Sequence, residues 1–165
     1  MVPVGSKDIR PSMDKMRESI FACLGDLSGC SFLDIFTGSG IIALEAASRG
    51  AAVIEAVESD KEKKKTLLEN VSISPVRINC RFIPAELYIK RAKTSFDIIF
   101  LDPPFPYQFK WQLVSSIASS KLVRAQTKIL IHRPRQDYPP EEIPNLEKTG
   151  SREYGRSIVD FFKRI

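Results

Sequence analysis

The sequence is poor in the side chains that most thiol and metal chemistry requires, with three cysteines and one histidine in 165 residues. Cys23, Cys30 and Cys80 make an odd count and show neither CxxC nor metal-ligand spacing. His132 follows Lys128-Ile129-Leu130-Ile131, an apolar run with the look of a strand. We read all four as structural residues, so a zinc site or a catalytic cysteine is not expected. Nor does any apolar run approach the ~18 residues that a membrane helix needs. The opening Met1-Val2-Pro3-Val4-Gly5-Ser6-Lys7-Asp8 lacks the basic start and apolar core of a signal peptide. The expectation is a soluble, cytoplasmic protein with no membrane span and no metal.

What is present is an ordinary globular composition. Hydrophobic residues at 43% and charged residues at 27% argue against disorder and suffice for a core. The length fits one domain over 1–165, which we divide into an N-terminal segment and helix (1–27), a core (31–133) and a loop with a C-terminal hairpin (134–165). A net charge of +5 suits a polyanionic partner, although many basic proteins bind no nucleic acid.

Periodicity orders the chain into alternating elements. Met13, Met16, Ile20, Phe21 and Leu24 recur at helical steps from Ser12 to Leu24, with Ser12 as N-cap and Gly25 as stop. Phe32-Leu33-Asp34-Ile35-Phe36 reads as a strand, Thr37-Gly38-Ser39-Gly40 as a turn, and Ile41 to Arg49 as a helix. The alternation continues with strand Ala52 to Glu58, helix Lys61 to Val71, strand Arg77 to Ile83 and helix Glu86 to Ala92. Next come a nearly all-apolar strand from Phe96 to Leu101, a helix from Trp111 to Leu122 and a strand from Lys128 to His132. The charge run Lys61-Glu62-Lys63-Lys64-Lys65 reads as a solvated helix face. Pro134, Pro139, Pro140 and Pro144 mark a loop, and Leu146 to Arg152 and Ser157 to Phe162 flank Tyr154-Gly155 as a hairpin. The predicted architecture is α/β and doubly wound, mostly parallel, with an antiparallel C-terminal hairpin at one edge.

Two motifs carry chemistry. Gly38-Ser39-Gly40 follows the first strand and opens a helix, where backbone N–H groups can approach a ligand without Cβ obstruction. Glu58 ends the second strand about twenty residues later, and a carboxylate there can accept both hydroxyl hydrogens of a ribose. The same spacing, with Ala43 in the third small position, also satisfies a dinucleotide fingerprint, so the pair alone leaves NAD open as the ligand.

The second motif, Asp102-Pro103-Pro104-Phe105, directly follows the buried fourth strand. An exocyclic base amine is a poor nucleophile because its lone pair is delocalised into the ring. If the Asp102 carboxylate and the Pro103 carbonyl each accept one N–H, the nitrogen pyramidalises and aims its lone pair at a methyl group. Proline offers a carbonyl without a competing N–H and fixes φ, so the acceptors are preorganised for the charge that develops on nitrogen. Phe105 offers a face for a stacked base. These roles point to a methyltransferase acting on a base amine.

At these residues the chain resembles the RsmD-type small-subunit ribosomal RNA guanine-N2 methyltransferases. Arg10-Pro11-Ser12 and Arg17-Glu18-Ser19-Ile20-Phe21 look like the family's opening motif. Leu33 to Gly40 and Leu44 to Ala51 are similar to its cofactor loop and following helix, with Ser48-Arg49-Gly50-Ala51 the more specific string. Glu58, the Asp102 tetrapeptide and Tyr154-Gly155 complete the pattern. The resemblance implies a class I, Rossmann-like methyltransferase fold and S-adenosylmethionine as methyl donor. It implies a guanine in ribosomal RNA, free or within the small subunit, as target. By it, Asp34, Thr37, Gly38, Ser39 and Gly40 line the methionine end of the cofactor, Glu58 holds the ribose and Ala85 lies near the adenine. Asp102, Pro103, Pro104 and Phe105 form the catalytic site, and Arg10 and Arg17 contact RNA. Thr37 stands where the family usually has alanine, Pro84 where it often has Asn or Asp, and Phe105 where Tyr is commoner. The family's basic N-terminal strands are mostly missing. Adenine N6 or a glutamine amide is the alternative acceptor, because the tetrapeptide occurs with those too. A nicotinamide oxidoreductase leaves Asp102 to Phe105 without a task, and an inactive RNA-binding module leaves the whole motif unexplained.

Overall fold

A computed structural model describes residues 11–165, and for Pro11 and Ser12 the backbone only. Arg10 lies outside the described residues. The elements are α1 (Pro11–Leu24), β1 (Ser31–Ile35), α2 (Ile41–Ser48), β2 (Val53–Val57), α3 (Lys64–Val71), β3 (Ile78–Arg81) and α4 (Ala85–Lys90). They continue with β4 (Ile98–Leu101), α5 (Lys110–Ala118), β5 (Lys128–Pro134), β6 (Leu146–Tyr154) and β7 (Ser157–Arg164). One seven-stranded sheet has the order β3-β2-β1-β4-β5-β7-β6. Strands β1 to β5 pair in parallel, and β7 joins β5 and β6 antiparallel. The class I Rossmann-like architecture expected from the sequence is therefore the one observed.

The order reverses between β1 and β4. The chain first winds outward to β3, then returns to place β4 on the other side of β1. The loops that leave these two strands diverge and open a crevice at their C-terminal ends.

Alternation along the strands explains the two-sided core. Phe32, Ile54, Ala56, Phe100 and Leu130 face one side, where Ile20, Phe21, Ala43, Ala46 and Ala47 cover them. Leu33, Ile35, Val57, Ile99, Leu101, Ile129 and Ile131 face the other, under Tyr88, Ile89, Leu113, Val114 and Ile117. Helix α1 buries Met16, Ile20, Phe21 and Leu24, while Met13 is exposed. Gly25, at φ 73°, ends it as expected and donates its N–H to the Phe21 carbonyl. At the other end the helix takes in Pro11, so Ser12 lies within it rather than capping it.

Other boundaries shift for local reasons. The expected helix from Lys61 begins as a 3₁₀ turn, Lys61–Lys63, capped by Asp60, whose carboxylate accepts the Glu62 N–H at 3.0 Å. All five residues of that charge run are exposed, but Lys63 also lines the cavity at the sheet reversal, so the run is not a solvated face alone. Helix α5 stops at Ala118 instead of Leu122, where the Ser120 hydroxyl bonds back to the Ile117 carbonyl and accepts the Leu122 N–H. Strand β5 runs two residues past His132 because Arg133 and Pro134 pair with Ile158 and Ser157 of β7. Tyr154 pairs with Ser157, leaving Gly155 and Arg156 as the hairpin turn, with Gly155 at φ 62°. The outermost strand, β6, is exposed at every residue but its two ends, and its register slips between Lys148 and Gly150. No described helix is long and apolar enough to cross a membrane.

Candidate active site at the sheet reversal

The glycine turn leaves β1 with its backbone in the left-handed region at Phe36 (φ 63°), Gly38 (φ 59°) and Gly40 (φ 86°). A left-handed phenylalanine is strained, and here it sits at the crevice. Gly40 is required twice over. Its φ disfavours a side chain, and an added Cβ would stand 2.7 Å from Leu67 Cδ1. Asn70, wholly buried on α3, donates to the Ser39 carbonyl at 2.9 Å and holds the turn from behind.

Asp34 is 1% exposed. Its Oδ2 accepts the Thr37 hydroxyl at 2.6 Å, while Oδ1 has no hydrogen-bond partner among the described residues. Burial pushes its carboxyl up to about 7, the Thr37 hydroxyl and the nearby Ala43 N–H pull against that, and the Asp102 and Glu58 charges add to the rise. Glu58, also buried, accepts the Gly38 N–H through Oε1 and the Asp60 N–H through Oε2, both at 2.9 Å. It thereby ties the turn after β1 to the loop after β2.

A cavity of about 530 Å³ occupies the crevice. Thr37, Gly38, Ser39, Glu58, Ala85 and the whole run Asp102 to Phe105 line it, so motifs far apart in sequence meet on one wall. Asp34 and Gly40 are not among the residues that line it. Phe36, within the cofactor-loop string, lines it too, as do Asp60, Glu86 and Tyr107, which the sequence did not single out. A larger cleft of about 940 Å³, along Glu55, Arg81 and Lys90, holds none of the motif residues.

Asp102 leaves β4 with its N–H on the Ile35 carbonyl (3.2 Å), which fixes it beside β1. Phe105 is 46% exposed, free to meet a planar ligand. The following loop is pinned by Lys110, whose ammonium reaches the Tyr107 carbonyl (2.7 Å) and the Asp137 carboxylate. His132 lies on β5, as its apolar run suggested, and its Nδ1 lies 2.9 Å from Asp102 Oδ1, a contact that the reading as a purely structural residue did not foresee. Matching the ends of β4 and β5 would have signalled this, since Leu101 pairs with Ile131. Arg17, proposed for RNA, lies 3.3 Å from an Asp14 oxygen and 3.7 Å from a Glu45 oxygen. Among the described residues no group of His, Cys, Asp and Glu could hold a metal.

The fold and the crevice define a class I, S-adenosylmethionine-dependent methyltransferase. Magnesium protoporphyrin IX methyltransferase of Synechocystis, solved with S-adenosylmethionine bound, shares this fold at a TM-score of 0.75 and 16% identity, over 100% of this chain and 86% of that one. A family model described as "Conserved hypothetical protein 95" matches residues 1–163, and the chain belongs to that family, the RsmD-type methyltransferases. YlbH of Bacillus subtilis is 30% identical over 167 residues, 98% of this chain and 91% of YlbH. Ribosomal RNA small subunit methyltransferase D of Buchnera aphidicola is 29% identical over 79% of this chain and 68% of its own length. A conserved hypothetical protein of Streptococcus pyogenes superposes with a TM-score of 0.83 at 28% identity, covering 90% of this chain and 95% of that one.

Proposed function

We propose that the protein methylates the exocyclic N2 of one guanine in small-subunit ribosomal RNA, with S-adenosylmethionine as donor. The residues suit that cofactor. The buried, unpartnered Asp34 Oδ1 is an acceptor for the ammonium of its methionine end. The turn at Gly38 has nothing within 4 Å of an added Cβ and so leaves room for close approach. Glu58 keeps a second lone pair on each oxygen for the ribose hydroxyls. Ala85, small and buried, leaves space for a flat base.

The observation that carries the reading is the meeting of Asp102 to Phe105 with the glycine turn in one cavity. When bound, the cofactor supplies an electrophilic methyl carbon. Asp102 and the Pro103 carbonyl accept the two amine hydrogens and turn the nitrogen lone pair toward it. As the nitrogen becomes positive its hydrogens grow acidic, and the Asp102 carboxylate is placed to take one. A strong base is not needed, because the proton is released by the charge on nitrogen. Phe105 holds the base by its face. Family membership supports ribosomal RNA as the substrate class, while the tetrapeptide suits guanine N2 and adenine N6 alike.

The test is to incubate the protein with labelled cofactor and ribosomal RNA or small subunits from cells lacking the gene, then digest and identify the nucleoside. N2-methylguanosine at one position is the expected product. N6-methyladenosine would replace the guanine reading, and absence of label from both substrates would overturn the assignment to ribosomal RNA.

A further inference from the structure

Strands β4 and β5 run side by side with Leu101 opposite Ile131, so the next residues, Asp102 and His132, stand next to one another beside the crevice that Asp102 lines. The two touch, Nδ1 to Oδ1, at 2.9 Å. The imidazole is 8% exposed, and its Nε2 is buried without a partner among the described residues. An ionised carboxylate only accepts, so the shared hydrogen belongs to Nδ1. A hydrogen on Nε2 would be a buried donor with no acceptor, which protein interiors avoid. The surroundings thus select one tautomer. The same ring meets Phe105 edge-on, with centroids 5.4 Å apart and planes at 61°. One side chain therefore touches both the first and the last residue of the tetrapeptide.

We propose that His132 is a positioning residue for methyl transfer. Its Nδ1–H, donated to Asp102 Oδ1, fixes the plane of the carboxylate and so the direction in which its free lone pairs meet the target amine, and its ring sets the angle of Phe105. This rests on the reading of Asp102 as the amine acceptor. A carboxylate on a strand end has a broad terminal torsion and two equivalent oxygens. The His132 donor removes that freedom before substrate arrives, which is what preorganisation requires. The ring does not relay the proton: Nδ1 already carries one and Nε2 has no outlet. Asp102 receives it alone.

Single-turnover methylation of the RNA substrate, with cofactor affinity and RNA KM measured alongside, separates the possibilities. His132→Ala should slow the methyl-transfer step roughly 10- to 100-fold, the scale for losing an orienting outer partner. Cofactor Kd and RNA KM should stay within about threefold. His132→Asn, whose amide N–H falls near Nδ1, should recover most of the rate, and His132→Gln, whose amide falls near Nε2, should not. In an Asp102→Ala background, His132→Ala should add no further loss. If Asp102→Ala is slow but His132→Ala runs at the wild-type rate, the positioning role is wrong and the catalytic reading stands. If Asp102→Ala itself keeps its rate, the catalytic reading fails first. Should His132→Ala not fold, the Asn and Gln variants decide, and equal impairment of the two overturns the proposal. A loss confined to KM or cofactor Kd also overturns it.

Discussion

Glu58 Oε1 accepts the Gly38 N–H at 2.9 Å, and this one bond joins the acidic end of β2 to the glycine turn of β1. The other oxygen is equally engaged, on the Asp60 N–H. Glu58 is therefore both a candidate ribose acceptor and the fastener that shapes the ribose side of the crevice.

Glu58→Ala should consequently cost more than the ribose bonds alone. Each hydrogen bond to a charged acceptor is worth about 1.5–3 kcal/mol, and two backbone donors lose their partner as well. Glu58→Gln should also weaken folding, because its amide can accept from only one of the two N–H groups. Calorimetric titration with S-adenosylhomocysteine, run beside thermal melts, checks both. Unchanged affinity with a lowered Tm would leave Glu58 a fastener only.

Asp34 gives a pH dependence with a definite sign. Its carboxyl is pushed up to about 7 in the fold from an ordinary value of 3.8. Between these values the folded protein holds a proton that the unfolded chain has released. The contribution to stability is therefore complete below about pH 4 and is lost as pH rises through about 7. Asp34→Asn should melt at a higher temperature than wild type at pH 8, with the gap closing toward pH 4. An ammonium favours the ionised form, so wild-type cofactor affinity should rise as pH climbs toward about 7, and that of the variant should be lower and flat. A stability difference independent of pH would refute this account of Asp34.

Gly40 and Gly38 should respond differently to alanine. Both have positive φ, but only at Gly40 does the new Cβ collide, with Leu67 Cδ1 at 2.7 Å and Val71 Cγ1 at 3.2 Å. Gly40→Ala should lose about 1–3 kcal/mol from backbone strain and more from the displaced Leu67. Gly38→Ala should lose only the strain, yet weaken cofactor binding, because its Cβ points into open space beside the crevice. Denaturant unfolding of the two variants distinguishes them, and equal destabilisation would contradict the packing argument.

For RNA, each lost phosphate contact should flatten the log–log salt dependence by about 0.7. Arg10→Ala with Arg17→Ala should lower the slope by roughly 1–1.5 and leave cofactor binding unchanged. Arg17 stands within 4 Å of Asp14 and Glu45 oxygens, so a phosphate has to compete for its guanidinium. A fall near 0.7 would mean that only one of the two is used, and a wild-type slope that the phosphates are held elsewhere.

Periodicity made the fold legible because the core strands are apolar on both faces and glycine or proline punctuates them. The doubly wound class and the antiparallel hairpin followed from the alternation, whereas the order of the strands came with the structure. What stayed hidden depended on partners remote in sequence. His132 looked like the end of an apolar strand, and only the pairing of β5 with β4 brings it to Asp102. Tyr107 carried no motif, yet its ring packs against that of Phe36 at the cavity wall, centroids 5.5 Å apart. Asp34 was legible as a cofactor-loop residue by resemblance, but its unpaired oxygen is a product of burial. Strand β6 was read two residues short because, almost wholly exposed, it has no apolar alternation to mark its limit, and β7 because its last residues, Lys163 and Arg164, are charged.

That exposed outer strand has a bearing on how the protein behaves in concentrated solution. A sheet ending in a long, flat, apolar strand invites a second chain to continue the ladder. Strand β6 answers with Glu147, Lys148, Arg152 and Glu153 along its length and a break in register at Lys148 and Gly150. Mixed charges and a kink make a poor template for another strand. Among the described residues the sheet therefore ends on a strand whose side chains and bulge discourage a further partner.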